Sequence, residues 1–289
     1  MKKTAIIIVM ASILIFFGCS ATKQTSTAKK QTNINVASFN LRMDTQNDVD
    51  DAWPHRKEMV KGLVRFHDFD IFGTQEGFKH QLDDILELRN YAYVGAGRDD
   101  GKDAGEHSAI IYKKDRFEIL ENGDFWFSET PEVPSKGWDA TCCNRICSWA
   151  KLRDRDSKKE FYFFNVHYDH EGQVARKNSS LMLLERIKKI TSNYPVFVTG
   201  DFNATSDSEP IQTLAQDGKL LDSYLVTKEP PYGTTGTFNS FKLDSPMKVR
   251  IDYVWVTNDI AVNKYAVLND SQYGHFPSDH FPVMINVTF

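Results

Sequence analysis

Basic charge is not in surplus. The 289 residues carry 35 Lys+Arg against 39 Asp+Glu, a formal net charge of −4. That argues against a protein whose main task is gripping duplex nucleic acid, because such binding needs clustered Lys/Arg to release counterions. It leaves room for a nuclease that holds its substrate through a metal and a few side chains. No loop rich in Lys/Arg and interleaved with aromatics is present; residues 151–159 (KLRDRDSKK) are mixed in sign and read as a solvated hairpin. Apolar runs of membrane-spanning length are missing too. The stretch from Ala5 to Phe17, broken only by Ser12, is too short to span a bilayer stably and has the length of a signal-peptide core. Beyond Gln31 there is no second linker, internal repeat or low-complexity tract, so one domain over residues 32–289 is expected. With 41% apolar and 26% charged residues, the chain has the mixture of a globular protein able to bury a full core.

Lys2 and Lys3 precede the apolar stretch, which ends in Gly18-Cys19. This resembles a bacterial lipobox, with Gly at the cleavage position and then the Cys that takes lipid. The expectation is a signal peptide over 1–18, a lipid on Cys19, and a polar tether through residue 31. The domain would then be anchored at the bacterial cell envelope rather than spanning a membrane. Cys142, Cys143 and Cys147 remain, an odd number, which suggests one local disulfide and one free thiol. A zinc site is disfavoured because no fourth ligand lies nearby in sequence.

Strands are predicted at Asn35–Phe39, Phe69–Thr74, Tyr91–Gly95, Ser108–Tyr112, Ile146–Leu152, Phe161–His167, Pro195–Thr199, Arg250–Val256 and Val283–Val287. Helical spacing appears over His55–Phe66, Phe78–Leu88 and Val174–Ile190. The last of these is expected to bury Leu181, Leu184, Ile187 and Ile190. Another helix opens near Ile211. Strands and helices alternate first and the middle is strand-rich, which suits a mixed-sheet α/β layer structure. The triplet Phe125-Trp126-Phe127 reads as strand rather than as a membrane-inserting tip.

The informative feature is how the apolar strands end. One closes at Asn40 and another at Glu76. A third closes at His167 and Asp169, and a fourth at Asp201 and Asn203. Asp252 sits inside an apolar strand, and Asp279-His280 immediately precede the last one. A single strand-terminal Asp is an ordinary turn former. Six such endings with metal-capable or acid–base side chains indicate a site built on one rigid edge.

At these residues the sequence resembles the endonuclease/exonuclease/phosphatase superfamily, the deoxyribonuclease-like metal-dependent phosphoesterases. The matching pieces are SFN (Asn40), TQE (Glu76), NVH (His167), GDFN (Asp201, Asn203), IDYVW (Asp252) and SDHFP (Asp279, His280). They span residue 35 to the C-terminus. The resemblance implies an α/β four-layer sandwich, two mixed β-sheets face to face flanked by helices, with the site at one edge.

Phosphate-ester hydrolysis needs charge neutralisation on the phosphoryl oxygens, an activated water and a stabilised leaving oxygen. Glu76, a hard oxygen donor, suits Mg2+ or Mn2+; the resemblance implies that Asn40 and Asp279 complete or support that coordination. His280 is the candidate general base or water orienter, with Asp252 fixing its tautomer. Asp201 would position or deprotonate the water from the opposite side, and the choice of base between Asp201 and His280 stays open. His167 and Asn203 would donate hydrogen bonds to the phosphoryl oxygens. Arg56 beside Trp53, Arg145 and Asp169 beside His170 are candidate substrate contacts, each with a plain surface or turn reading beside it. Asp252 could instead serve as a structural partner of Arg250 or Lys248, although Arg250 is expected to face away.

The function expected is metal-dependent hydrolysis of a phosphate ester, mono- or diester. The substrate would be a phosphorylated small molecule, lipid headgroup or nucleotide outside the cytoplasm, met by a monomer on its lipid anchor. The alternatives are a nuclease, or a catalytically idle lipoprotein that binds phosphorylated ligands.

Overall fold

The computed structural model describes residues 33–289. The signal peptide 1–18, Cys19 and the tether to residue 31 lie outside the described residues. Twelve strands are present among these. The first six are β1 (Asn33–Asn40), β2 (Ile71–Gln75), β3 (Tyr91–Val94), β4 (Ile110–Lys113), β5 (Phe117–Trp126) and β6 (Ile146–Asp154). The rest are β7 (Glu160–His167), β8 (Val196–Asp201), β9 (Leu220–Asp222), β10 (Asp252–Thr257), β11 (Ala261–Val267) and β12 (Val283–Thr288). They form two six-stranded sheets, ordered β11-β12-β1-β2-β4-β3 and β5-β6-β7-β8-β10-β9. Within each sheet one pair is parallel, β1 with β2 and β7 with β8. The other pairs are antiparallel. Each parallel pair is joined by a helix, α1 (Trp53–Phe66) in the first and α3 (Gln173–Thr191) in the second. Shorter helices α2 (Lys79–Leu86), α4 (Glu209–Gln216) and α5 (Ser223–Val226) complete the outer layers. This is the expected four-layer arrangement.

The near-continuous apolar strands follow from burial on both faces. Val36, Ile71, Phe163 and Phe197 point between the sheets and share one core. Their neighbours point outward: Ala37 and Phe72 pack with Val60, Leu63 and Leu82 of α1 and α2. Phe164 and Val198 pack with Leu183 and Ile187 of α3. The α3 face differs from the expected one. Its buried residues include Ala175, Ser179, Ser180, Leu183 and Ile187, while Leu181 is 49% exposed. Two serines at the contact let the helix lie close to the sheet, and a reading based on large apolar residues rotates the helix away from them.

Strands β9 and β11 were not anticipated, and of β5 only the end at Phe125 and Trp126 was; all three are sheet edges. Edge strands are half-solvated, so they carry polar residues that blur the apolar pattern. Phe125, Trp126 and Phe127 are buried at the end of β5, and residues 155–159 turn between β6 and β7. Among the described residues no helix is long and apolar enough to cross a membrane.

Candidate active site

The two parallel pairs end on the same edge. Asn40 is in register with Gln75, the residue before Glu76, and His167 is in register with Asp201. Antiparallel β10 begins there, placing Asp252 opposite Asp201. The segment before β12 brings Asp279 and His280. A cavity of about 780 Å³ opens on this edge, lined among others by Glu76, His167, Asp201, Asn203, Asp279 and His280. Asn40 and Asp252 lie behind it and hold the lining residues in place.

Glu76 and Asn203 both adopt left-handed backbone, with φ of 63° and 47°. Non-glycine residues hold that conformation at a cost of order 1–3 kcal/mol, and such residues gather at functional sites. The Asn40 amide donates to Glu76 Oε1 at 2.9 Å and to Asp201 Oδ2 at 3.0 Å. One side chain thus clamps two carboxylates from opposite sheets. Glu76 Oε2 accepts from the Met43 amide at 3.1 Å. Burial opposes ionisation of Glu76, yet its neighbours His167 and His280 and the Asn40 bond hold its carboxyl below the ordinary value. Asp201 moves the other way, raised by burial and by the charge of Asp252. Burial likewise pushes Asp279 up to about 6.

His280 Nδ1 meets Asp252 Oδ2 at 2.8 Å, and its Nε2 lies 3.9 Å from Asp201 Oδ2. Burial disfavours the imidazolium, but the charge of Asp252 and its hydrogen bond outweigh burial, so the His280 pKa is raised. Asp252 Oδ1 has no partner. Arg250 pairs instead with Asp222, at 3.0 and 2.7 Å. It precedes β10, so strand alternation does not fix its direction.

Arg145 reaches the cavity. Its guanidinium donates to His167 Nε2 at 3.2 Å, His170 Nδ1 at 2.7 Å and Asp169 Oδ2 at 3.3 Å. Burial and the Arg145 charge pull the His167 pKa down to about 3, so its ring is neutral. Asp169 does not line the cavity. It is buried, and its other oxygen accepts from the amides of Glu171 and Gly172, so it positions Arg145. Arg56 is also corrected. Fully buried, it donates to the carbonyls of Leu41, Arg42, Asp51 and Pro277 and does not line the cavity. Trp53 is likewise buried, bonded to Asp84.

Sequence reading missed Arg42, which pairs with Asp48, and Arg98, which pairs with Glu106. All but Asp48 line the cavity. They come from irregular loops where no periodicity marks them. Cys142 and Cys143 also line it, while Cys147 is free and buried.

Glu76, Asp201 and His280 each offer one ligand atom, and these atoms lie within 4.8 Å of one another. Asn40 is occupied in bridging two of these residues, so as placed it supports the cluster. The two carboxylates suit a hard divalent cation. The sequence model of the endonuclease/exonuclease/phosphatase family matches residues 37–280. The chain belongs to this family. Members are generally divalent-metal dependent, and the Glu76–Asp201–His280 cluster is a possible metal triad here. A mannosyl-6-phosphatase of Bacteroides thetaiotaomicron is 45% identical, with a TM-score of 0.85 over 89% of this chain and 100% of that one. The uncharacterised protein L388 of Acanthamoeba polyphaga mimivirus is 30% identical, covering 81% of this chain and 91% of that protein. The exoribonuclease subunit Ccr4 of the CCR4-Not complex from Aspergillus niger is 24% identical over 82% of this chain, which spans only 47% of that subunit. As a family member the chain is a phosphoesterase or nuclease, a hydrolase of phosphate esters.

Proposed function

We propose that the chain is a Mg2+- or Mn2+-dependent phosphomonoesterase that removes phosphate from a phosphorylated sugar. The observation that carries this reading is a bounded cavity whose carboxylates, imidazoles and guanidinium groups converge from both sheets on one small volume. The sugar class follows the named activity of the Bacteroides neighbour, which shares the whole length of the domain. Glu76, with the adjoining carboxylate of Asp279, would hold the cation, which leaves Asp201 and His280 for proton transfer. When bound, the cation would neutralise phosphoryl charge and ease ionisation of water.

The remaining work falls to the chain itself. His280, kept charged by Asp252, donates from Nε2 to a phosphoryl or leaving oxygen. That leaves proton abstraction from water to Asp201, whose raised pKa makes it a stronger base than an ordinary carboxylate. Arg145 and the neutral His167 face the phosphoryl oxygens, and Asn203 holds the turn after Asp201, its backbone amide donating to Asp201 Oδ1 at 2.9 Å and its side-chain amide to the Tyr168 carbonyl at 3.0 Å. The expected leader over residues 1–18, with Cys19 directly behind it, supports placement on a bacterial envelope membrane through lipid, with the domain acting as a monomer on an extracytoplasmic substrate. The acidic balance argues against tight duplex binding.

Turnover of mannose 6-phosphate, p-nitrophenyl phosphate and bis-p-nitrophenyl phosphate, with Mg2+ and with EDTA, tests the reading. Monoesters should be cleaved at least about 10-fold faster than the diester, and EDTA should abolish turnover. Diester preference would transfer the site to the nuclease reading. Undiminished activity in EDTA would remove the metal.

A further inference from the structure

The loop between β3 and β4 lines the cavity with Arg98, Asp99, Gly105 and Glu106. Arg98 and Glu106 close its base. The Arg98 amide donates to the Glu106 carbonyl at 3.0 Å, and the two side chains form a two-pronged ion pair at 2.8 and 2.7 Å. Glu106 in turn stands 3.6 Å from His167 Nδ1, which joins the loop to the residues facing the phosphoryl group. The Asp99 side chain stands outside this network of hydrogen bonds. We propose that its carboxylate determines specificity, accepting hydrogen bonds from hydroxyls of the sugar and repelling esters that carry a second negative charge. This rests on the phosphomonoesterase reading above.

Three observations carry it. Glu76, Glu106, Asp201 and Asp279 also line the cavity, and each accepts a hydrogen bond within the protein. Asp99 accepts none on its carboxylate among the described residues. Its side chain is 55% exposed, and Arg98 Nε lies 4.0 Å from Oδ1, beyond hydrogen-bonding reach. Next, an Asp in a turn ordinarily serves the turn by accepting from the amides that follow it. In this loop Asp100 does so, its Oδ1 accepting from the amides of Lys102 and Ala104 at 2.8 and 2.9 Å. The turn does not use Asp99. Finally, the loop holds Asp99 in place and leaves room for its carboxylate. Its amide donates to the Ala104 carbonyl at 3.1 Å, and the neighbouring Arg98 carbonyl accepts from Trp126 Nε1 at 2.7 Å and Asn144 Nδ2 at 3.2 Å. Gly105 has a φ of 83°, and a Cβ there would lie 2.4 Å from Asp99 Oδ2. A carboxylate held at an anion-binding cavity opposes the substrate's charge, so what it can recognise is a donor. Sugar hydroxyls are neutral donors and meet it without adding charge.

Steady-state kinetics on the full chain with Mg2+ test the proposal with mannose 6-phosphate, methyl phosphate and glucose 1,6-bisphosphate. In Asp99→Ala the kcat/KM ratio of mannose 6-phosphate to methyl phosphate should fall about fivefold or more through KM, the scale of one hydrogen bond. Asp99→Asn keeps the shape and one acceptor oxygen, so its fall should be smaller. Loss of the charge should raise use of the bisphosphate relative to mannose 6-phosphate by about threefold or more. A carboxylate that only steadied Arg98 would affect methyl phosphate equally, so an unchanged ratio in Asp99→Ala overturns the proposal. Unchanged discrimination against the bisphosphate in Asp99→Asn overturns it too. If wild type cleaves none of the three, the phosphatase reading fails, and Asp99 is judged by calorimetric binding. Asp99→Ala should then weaken mannose 6-phosphate about fivefold relative to inorganic phosphate. Equal weakening, or no binding of the sugar phosphate by wild type, would overturn the proposal as well. Thermal melts establish folding, and the isosteric Asp99→Asn carries the test if Asp99→Ala does not fold.

Discussion

Asp252 spends one oxygen on His280 and leaves the other without a partner in a buried site. Such an arrangement is costly unless the charge is used. The Asp252→Asn change keeps the shape, removes the charge that holds the imidazolium and allows the wrong tautomer. His280→Ala should lower kcat by about 10²–10⁴-fold, the usual contribution of a positioned acid or base. Asp252→Asn should lower it by a similar factor, and the double variant should be little worse than either alone, because the two act as a unit. Turnover of the four proteins, with thermal melts to establish folding, decides it; multiplicative losses would make Asp252 a structural carboxylate independent of His280. This pair was legible in the sequence because an Asp in an apolar strand and a His before the last strand both break a strong pattern. Arg98 and Glu106 break none. They lie in a loop rich in Gly and Asp, where a charged pair looks like any solvated turn, and only the fold brings them to the cavity.

Arg56 shows how an element's placement can depend on one side chain. From α1 it reaches the carbonyls of Leu41 and Arg42, directly after Asn40, and of Pro277, two residues before Asp279. Its sequence position near a helix start suggested a cation offered to substrate; burial makes it a clasp. Arg56→Ala would leave several buried carbonyls without donors, each worth about 1–3 kcal/mol. At about 2–4 °C per kcal/mol for a domain of this size, the melting midpoint should fall by about 5–15 °C. Arg56→Lys should recover only part, since one ammonium cannot span the fork of carbonyls. Differential scanning calorimetry checks both, and an unchanged midpoint for Arg56→Ala would show the clasp to be dispensable. The same scale explains what was legible among elements. Central strands with two buried faces announce themselves, whereas β5, β9 and β11 carry edge polarity, and α3 hides its contact face behind Ser179 and Ser180.

The site exists only if the two sheets hold a fixed relative position, because Asn40, Glu76 and Asp279 come with one sheet and His167, Asp201 and Asp252 with the other. An apolar interface between sheets is adaptable, and volume-conserving changes there are tolerated. A polar seam close to the site is not. Asn165 of β7 donates to the carbonyls of Thr74 and Ala109 at 2.7 and 3.0 Å, across the gap between sheets. Its oxygen accepts from the Gln75 amide at 2.7 Å and the Thr199 hydroxyl at 2.9 Å. Gly73 makes room for it, since a Cβ there would lie 2.2 Å from both Asn165 Oδ1 and Thr199 Oγ1. Gln75 immediately precedes Glu76, and Thr199 stands two residues before Asp201, so the seam fixes the two carboxylates against each other. Asn165→Ala should therefore lower kcat about 10-fold or more under conditions where it is fully folded, because small misplacements of reacting groups are expensive. Phe163→Leu, in the apolar core on the same strand, should lose stability but keep kcat within about twofold. Denaturant melts and turnover of both variants at a temperature well below either midpoint separate the effects. Wild-type kcat in folded Asn165→Ala would mean that the seam contributes stability alone and that the apolar core is enough to set the sheets.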